Sequence, residues 1–110
     1  MTAPARACLP GYVCLVARQH VVEPFELAEQ GEWWAECMAV ARAVKVTLRS
    51  PKINYEIHGN TIPHLHLHLY PRFDGDPFAG RPIDGTDLRF ERSADALELL
   101  RTGIEGRLTT

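Results

Sequence analysis

The sequence predicts an α+β domain in which a small antiparallel sheet packs against one long helix, with a second helix at the C-terminus. One segment alternates histidine with leucine, the period of two that is typical of a half-buried strand. A charged segment before it repeats its apolar residues three, four or seven positions apart, as an amphipathic helix does. The length of 110 residues is that of one ordinary domain, so we expect residues 1–110 to form a single domain.

Three segments have the patterns of strands. Residues 12–17 are apolar and partly β-branched and follow a loose start, and residues 53–57 alternate apolar with polar side chains. Residues 64–70 lie between Pro63 and Pro71 and have the clearest alternation in the chain. Because residues two apart share one face of a strand, the leucines of this segment should enter the core. Its three histidines should then stand in a row on the opposite face.

Residues 32–48 form the predicted long helix. Glutamates precede the basic residues along it, which complements the helix dipole, and Ser50-Pro51 ends it. Gly31 weakens the preceding segment, so residues 24–30 are expected to form a separate turn. The predicted apolar stripe, which begins in that turn, consists of Leu27, Trp34, Met38, Ala41, Val44 and Leu48.

The C-terminal third contains an irregular loop and then a helix. Residues 73–87 are rich in Gly, Pro and Asp, which predicts a loop without regular structure. Ser93 is a candidate N-cap for the final helix, whose end Gly103 and Gly106 should make ragged. Its apolar stripe consists of Ala94, Leu97, Leu100 and Ile104.

Composition excludes several classes of function. Twelve basic residues against fourteen acidic ones give a net charge of -2, which argues against nucleic acid or an anionic membrane as a partner. No apolar run approaches the ~20 residues that cross a bilayer. Cys8, Cys14 and Cys37 follow no metal or redox spacing, and the first ten residues lack the pattern of a secretion signal. We therefore expect a reduced, cytoplasmic protein.

The histidines at 64, 66 and 68 point either to a metal site or to histidine chemistry. Cα atoms four residues apart on a strand are about 13 Å apart, whereas zinc holds its nitrogen ligands at ~2.0–2.1 Å, so all three can hardly bind one ion. A metal site built on His66 and one neighbour, and completed by His20, His58 or a carboxylate, remains an alternative. Neighbouring imidazoles disfavour one another's protonation, and a neutral imidazole is a nucleophile suited to phosphorus chemistry.

These residues carry a resemblance to a known family. The run HLHLHLY at residues 64–70 resembles the His-φ-His-φ-His-φ-φ signature of the histidine triad (HIT) superfamily of nucleotide hydrolases and transferases. INYEIHGNTIP at residues 53–63, and Pro-Arg at 71–72, are similar to its bacterial diadenosine polyphosphate hydrolase-like branch. PGYVCLVARQH at residues 10–20 is similar to the family's strand that closes on a basic residue and a histidine.

The resemblance implies a HIT-like enzyme with a two-step mechanism. His66 would attack the α-phosphorus of a dinucleoside polyphosphate or nucleoside phosphoramidate, and water would then release the mononucleotide from the covalent nucleotidyl-histidine. His64 would orient and tune His66, and His68 would contact the α-phosphate oxygens. The family scheme needs no cofactor, although some members use a divalent cation with polyphosphate substrates. It also implies a homodimer.

Four further residues match substrate-binding positions of the family. Thr61 would hydrogen-bond the phosphate or the leaving group. Asn60 stands where the family often has Gln, a difference that affects the fine positioning of the substrate. Asn54 matches an asparagine at the ribose-phosphate region, and His20 matches a histidine lining the same pocket. His58 has no counterpart, and we expect it to be structural or at the surface.

The chain departs from the family at its front. Most members carry a further helix and one or two strands before the segment that starts here at Gly11, and residues there help to enclose the base and ribose. Three consequences stay open: an open base pocket, a pocket closed by a second subunit, or a ligand other than an adenine nucleotide. Two rival functions also stay open, a metal-dependent enzyme and a non-catalytic nucleotide-binding protein.

Overall fold

The computed structural model describes residues 1–108 and has the predicted α+β architecture. The main sheet has the strand order β2-β4-β3 and is antiparallel throughout, and β1 and β5 form a separate antiparallel pair. The histidine strand is therefore β4, in the centre of the main sheet. In chain order, the elements are β1 (Arg6–Ala7), β2 (Val13–Val16), a short 3-10 helix (Pro24–Glu26), α1 (Gln30–Leu48), β3 (Lys52–Glu56), β4 (His66–Arg72), β5 (Phe90–Glu91) and α2 (Ala94–Leu108).

Strand β4 begins and ends two residues later than predicted. Its leucines face the core as expected, with Leu67 and Leu69 at most 1% exposed. Pro71 lies inside the strand and does not end it. Strand β2 starts at Val13, opposite Leu69, so the proline lies beyond the β2 ladder and no bond to β2 is lost there.

The core lies between the leucine face of the main sheet and the two helices. Helix α1 begins at Gln30, two residues earlier than predicted, and the 3-10 helix is the separate turn expected before it. The prediction that Trp34 is buried was wrong, because the face of α1 that meets the sheet runs through Trp33 instead, and Trp34 is 49% exposed. The buried cluster consists of Val13, Leu15, Cys37, Ala41, Ala43, Val44, Ile53, Leu67, Leu69, Leu100 and Ile104.

Helix α2 packs on α1 and continues past both of its glycines to Leu108, so the expected ragged end was wrong. The predicted cap is confirmed, since the hydroxyl of Ser93 accepts a hydrogen bond from the backbone N–H of Ala96. At Gly103 the two helices lie so close that a Cβ would be 2.7 Å from Cγ2 of Thr47. Gly103 therefore serves helix packing. Within the described residues, no helix is long and apolar enough to cross a membrane.

The first ten residues are built into the fold, contrary to the expected loose start. Thr2 exchanges two backbone hydrogen bonds with Cys14 on the outer edge of β2, and Leu9 is fully buried. The buried side chain of Arg92 holds this segment by donating to three backbone carbonyls, those of Pro4, Pro10 and Tyr12. The predicted irregular loop at residues 73–87 is confirmed.

Candidate active site

The polar face of β4 opens into a cleft of about 640 Å³. His66, His68 and Tyr70 line it from β4, and Tyr12 joins them from the residue before β2. The turn at residues 59–62 forms one side. The N-terminal segment and residues 83–88 also line the cleft.

His66 is held in one tautomer by the backbone. Its Nδ1 atom lies 2.6 Å from the carbonyl oxygen of His64. A carbonyl oxygen only accepts hydrogen bonds, so Nδ1 carries the proton. In the neutral ring Nε2 then has the free lone pair, and His66 is among the residues that line the cleft. The arrangement presents the form of imidazole that a nucleophile needs.

His64 lies outside β4 and pairs with His20 instead of lining the cleft. Its Nε2 atom donates to the carbonyl oxygen of Ala17 at 2.6 Å, which leaves Nδ1 of the neutral ring to accept from Nδ1 of His20 at 2.9 Å. The prediction that all three histidines stand in one strand was wrong for His64. The backbone N–H of the next residue, Leu65, donates a hydrogen bond to the carbonyl of Val21 and not to a strand of the sheet.

His68 sits in an aromatic stack. Its Nδ1 atom lies 2.6 Å from the hydroxyl of Tyr12, and its ring lies beside those of Tyr12 and Tyr70, with centroids 5.7 and 5.9 Å away. The two tyrosine rings stack on each other, with centroids 4.8 Å apart. Burial lowers the pKa of His68, and the neighbouring His66 and His58 lower it further. Burial also raises the pKa of Tyr12 well above its usual range. Near pH 7, His68 is therefore neutral and Tyr12 keeps its proton.

Asn60 and Thr61 line the cleft, as their predicted roles require, whereas Asn54 does not. The side-chain oxygen of Asn54 accepts a hydrogen bond from Arg72 at 2.9 Å, and Arg72 forms a two-point ion pair with Asp76. The structure thus brings His66, His68, Asn60 and Thr61 together in one cleft. His20, His64 and Asn54 lie outside it.

Sequence reasoning missed three cleft residues. Tyr12 looked like the first residue of a buried strand, and only its pairing with His68 shows its place. His58 is at the surface, as expected, with its side chain 52% exposed, but it also lines the cleft and its Nε2 lies 2.7 Å from Oε1 of Glu56. Glu56 is directly opposite His68 in the register of β3 and β4, a pairing that one sequence does not reveal.

The ring nitrogens bear on the metal alternative. Nε2 of His64 and Nδ1 of His66 both face backbone carbonyls, so of these four ring nitrogens Nε2 of His66 is the one presented to the cleft. Among residues 1–108, no three His, Cys, Asp or Glu side chains are arranged to hold one metal ion. The three cysteines are free and buried, at separate places in the core.

Comparisons with known proteins agree with this architecture. The sequence profile of the HIT domain family matches residues 4–75. A histidine triad protein from Bradyrhizobium japonicum has a similar structure, with a TM-score of 0.84 and 28% identity over 94% of this chain and 79% of that one. A histidine triad protein from Marinobacter aquaeolei VT8 is also similar, with a TM-score of 0.79 and 26% identity over 89% of this chain and 74% of that one.

A more distant structure shares the fold alone. It is a zinc-bound histidine triad family protein from Mycobacterium smegmatis, with a TM-score of 0.64 and 24% identity over 96% of this chain and 74% of that one. No curated protein sequence gives a significant match.

Proposed function

The chain belongs to the HIT domain family, and on that premise we propose that it is a nucleotide hydrolase or transferase that acts at the α-phosphate through a covalent intermediate on His66. Family membership by itself indicates nucleotide binding or a hydrolase or transferase activity. The observation that carries the finer proposal is the 2.6 Å hydrogen bond from Nδ1 of His66 to the carbonyl of His64. It leaves Nε2 as the nucleophilic nitrogen.

The reaction has two displacements at phosphorus. Nε2 of His66 attacks the α-phosphorus, a nitrogen–phosphorus bond forms, and the leaving group departs with the electrons of its own bond. Water then attacks the same phosphorus, the nitrogen–phosphorus bond breaks, and the lone pair returns to Nε2. The nucleotidyl-imidazole that still carries the Nδ1 proton is positively charged, so its hydrogen bond to the His64 carbonyl becomes stronger in the intermediate.

His68 is proposed to contact the α-phosphate oxygens as a neutral donor. If the Tyr12 hydroxyl donates to Nδ1, the proton of the neutral His68 ring is on Nε2. A donor held in place by its packing stabilises the charge that develops on phosphate oxygens without reorganising. Thr61 and Asn60, in the adjoining turn, would hydrogen-bond the phosphate or the leaving group.

The three matched residues outside the cleft are proposed to act indirectly. His64 would orient His66 through its carbonyl, and His20 would hold the ring of His64. Asn54, bound to Arg72, would approach a ribose or phosphate only where the substrate extends along β3. The substrates we propose are a dinucleoside polyphosphate or a nucleoside phosphoramidate, the two classes that the resemblance implies.

We propose that the reaction needs no metal ion, because Nε2 of His66 is itself the nucleophile and the first step needs no metal-activated water. A divalent cation would act only as a companion of a polyphosphate substrate. The zinc-bound relative makes this worth testing directly. Turnover should persist in excess chelator with a phosphoramidate substrate, and loss of activity on stripping with recovery on added zinc would contradict the proposal.

We also propose a homodimer. Strand β3 is an edge of the main sheet, with β4 as its one partner strand among residues 1–108. Exposed apolar side chains are found on and beside this edge, including Tyr55, Ile57 and Trp34. Sedimentation should give twice the chain mass, and Trp34→Arg should weaken association without unfolding the chain. A wild-type protein that remains monomeric at micromolar concentration would contradict this.

The variant His66→Asn tests the catalytic proposal. Asparagine keeps a polar side chain but lacks the nucleophilic nitrogen, so turnover of a nucleoside phosphoramidate or dinucleoside polyphosphate should be abolished. Circular dichroism and ligand-induced thermal stabilisation check that the variant still folds and binds. Full activity in this variant would refute the mechanism, and stabilisation of the wild type by nucleotides without any product would favour the non-catalytic alternative.

A further inference from the structure

A histidine–carboxylate pair next to the proposed nucleophile has no role in the mechanism above. Nε2 of His58 lies 2.7 Å from Oε1 of Glu56, and both residues line the cleft. The ring centroids of His58 and His68 are 5.9 Å apart, and Glu56 lies directly opposite His68 in the sheet. The pair is thus beside the phosphate position on the β3 side of the cleft.

The carboxylate determines which nitrogen of His58 exchanges protons. An ionised carboxylate only accepts, so Nε2 of His58 carries the proton that Glu56 receives. Nδ1 is left as the atom that takes up or gives a proton. A carboxylate in this position also orients the ring, as the acidic member of a catalytic triad does.

The mechanism has a place for such a group. An amine or alcohol that leaves phosphorus must receive a proton, whereas a phosphate or a nitrophenolate leaves as an anion. His68 is poorly suited to supply that proton, since burial keeps its ring neutral. His66 is also unsuited, because its Nδ1 proton is directed at the carbonyl of His64 and its Nε2 is bonded to phosphorus after the attack.

The charges of the cleft favour a leaving group that is not an anion. Among the lining residues in the described part of the chain, Arg6 is the one lysine or arginine, and it donates to the backbone of Leu88. Glu56 and Asp84 line the same cleft as acids. A polyphosphate would bring several negative charges next to these carboxylates, whereas an amine brings none.

We propose that His58, oriented by Glu56, is the general acid that protonates the leaving amine of a nucleoside phosphoramidate. The inference rests on the proposed function of His66. As Nε2 of His66 forms its bond to phosphorus, the phosphorus–nitrogen bond of the substrate breaks, and the amine nitrogen receives the proton from Nδ1 of His58. The neutral His58 then accepts a proton from the attacking water, which returns it to its starting state. Glu56 is a positioning residue in this scheme.

The test compares two leaving groups in the same variant. His58→Gln is measured with a nucleoside phosphoramidate of an alkylamine and with a p-nitrophenyl ester of the same nucleotide, whose leaving group needs no proton. Only the rate of the first step is compared. For the amidate it is the single-turnover rate, and for the ester it is the rate of the nitrophenolate burst. General acid catalysis contributes roughly 10²- to 10⁴-fold, so the amidate rate should fall by about 10²-fold or more. The ester burst should change by less than about threefold.

Glu56 variants provide an independent readout. Glu56→Gln should reproduce the selective loss on the amidate in weaker form, and Glu56→Asp should restore part of it. Equal losses on both substrates, or no loss on either, would overturn the role of His58. If the wild type gives neither a burst nor a covalent adduct, the proposed function fails and this inference fails with it. A wild-type burst without selectivity in His58→Gln overturns this inference alone.

Discussion

Within β4, two histidines that share a face differ in what their Nδ1 atoms contact. Nδ1 of His66 donates to a carbonyl, which fixes a proton there and leaves Nε2 nucleophilic. Nδ1 of His68 faces the Tyr12 hydroxyl within an aromatic stack. Burial favours the neutral form of His68, so one imidazole is prepared to attack and the next to donate a hydrogen bond.

The protonation of His68 gives a prediction at this scale. NMR titration of its ring should give a midpoint below 6.5, because burial disfavours the charged ring. Between that midpoint and about 6.5 the unfolded chain binds more protons than the folded one, so stability falls as pH decreases through this window. Tyr12→Phe should keep the low midpoint, since burial is the largest cause, but should lose the single tautomer in ¹⁵N shifts. A midpoint at or above 6.5 would contradict this account.

At the level of whole elements, the contact between α1 and α2 depends on Gly103, a residue type that by its helix propensity should weaken α2. Gly103 and Gly106 are in the same helix, three residues apart. A Cβ at Gly103 would lie 2.7 Å from Thr47, a β-branched residue with little freedom to move. A Cβ at Gly106 would meet no atom of residues 1–108 outside its own helical turn within 4 Å. Two glycines with the same helix propensity therefore have different structural functions.

The two glycines give a matched pair of variants. Gly103→Ala should destabilise the protein by about 1–3 kcal/mol, the usual cost of inserting a carbon atom into a packed contact. Gly106→Ala should stabilise it by up to about 1 kcal/mol through helix propensity alone. Urea unfolding followed by circular dichroism measures both. Stabilisation by both substitutions to the same degree would show that α2 does not pack on α1 as described.

For the whole molecule, Arg92 connects segments that are far apart in sequence. Its guanidinium donates to carbonyls at residues 4, 10 and 12 from the start of α2, and its side chain is buried. Residues 4 and 12 also line the cleft, so the arginine supports one wall of the candidate active site. Among residues 1–108 no carboxylate pairs with this buried charge, which therefore depends on those carbonyls.

Replacing this arginine should affect both stability and activity. Arg92→Met removes the donor from three part-buried carbonyl contacts, so the free energy of unfolding should fall by about 2–4 kcal/mol. Arg42→Met, at an exposed position of α1, should stay within about 0.5 kcal/mol of the wild type. Thermal and urea unfolding compare the two variants. Similar small effects for both would mean that Arg92 does not hold the N-terminal segment.

How far the sequence predicted the molecule depends on the range of each interaction. Local periodicity found the three strands of the main sheet and both helices within about two residues, and the motif found His66 and His68. Contacts between distant segments were not predictable. The pairing of β1 with β5 joins residues more than 80 positions apart, and the place of Tyr12 and His58 in the cleft depends on sheet register. His64 was misplaced because its own N–H donates to the carbonyl of Ile62, and that of Leu65 to Val21, instead of to a partner strand.

The central claim is that His66 carries a covalent nucleotide during turnover. Wild-type protein mixed with a nucleoside phosphoramidate and quenched in base within the first turnover should gain the mass of one nucleotidyl group per chain. Peptide mapping should place it on His66, and His66→Asn should gain none. An adduct on another residue, or turnover by the wild type without any adduct under these conditions, would contradict the account.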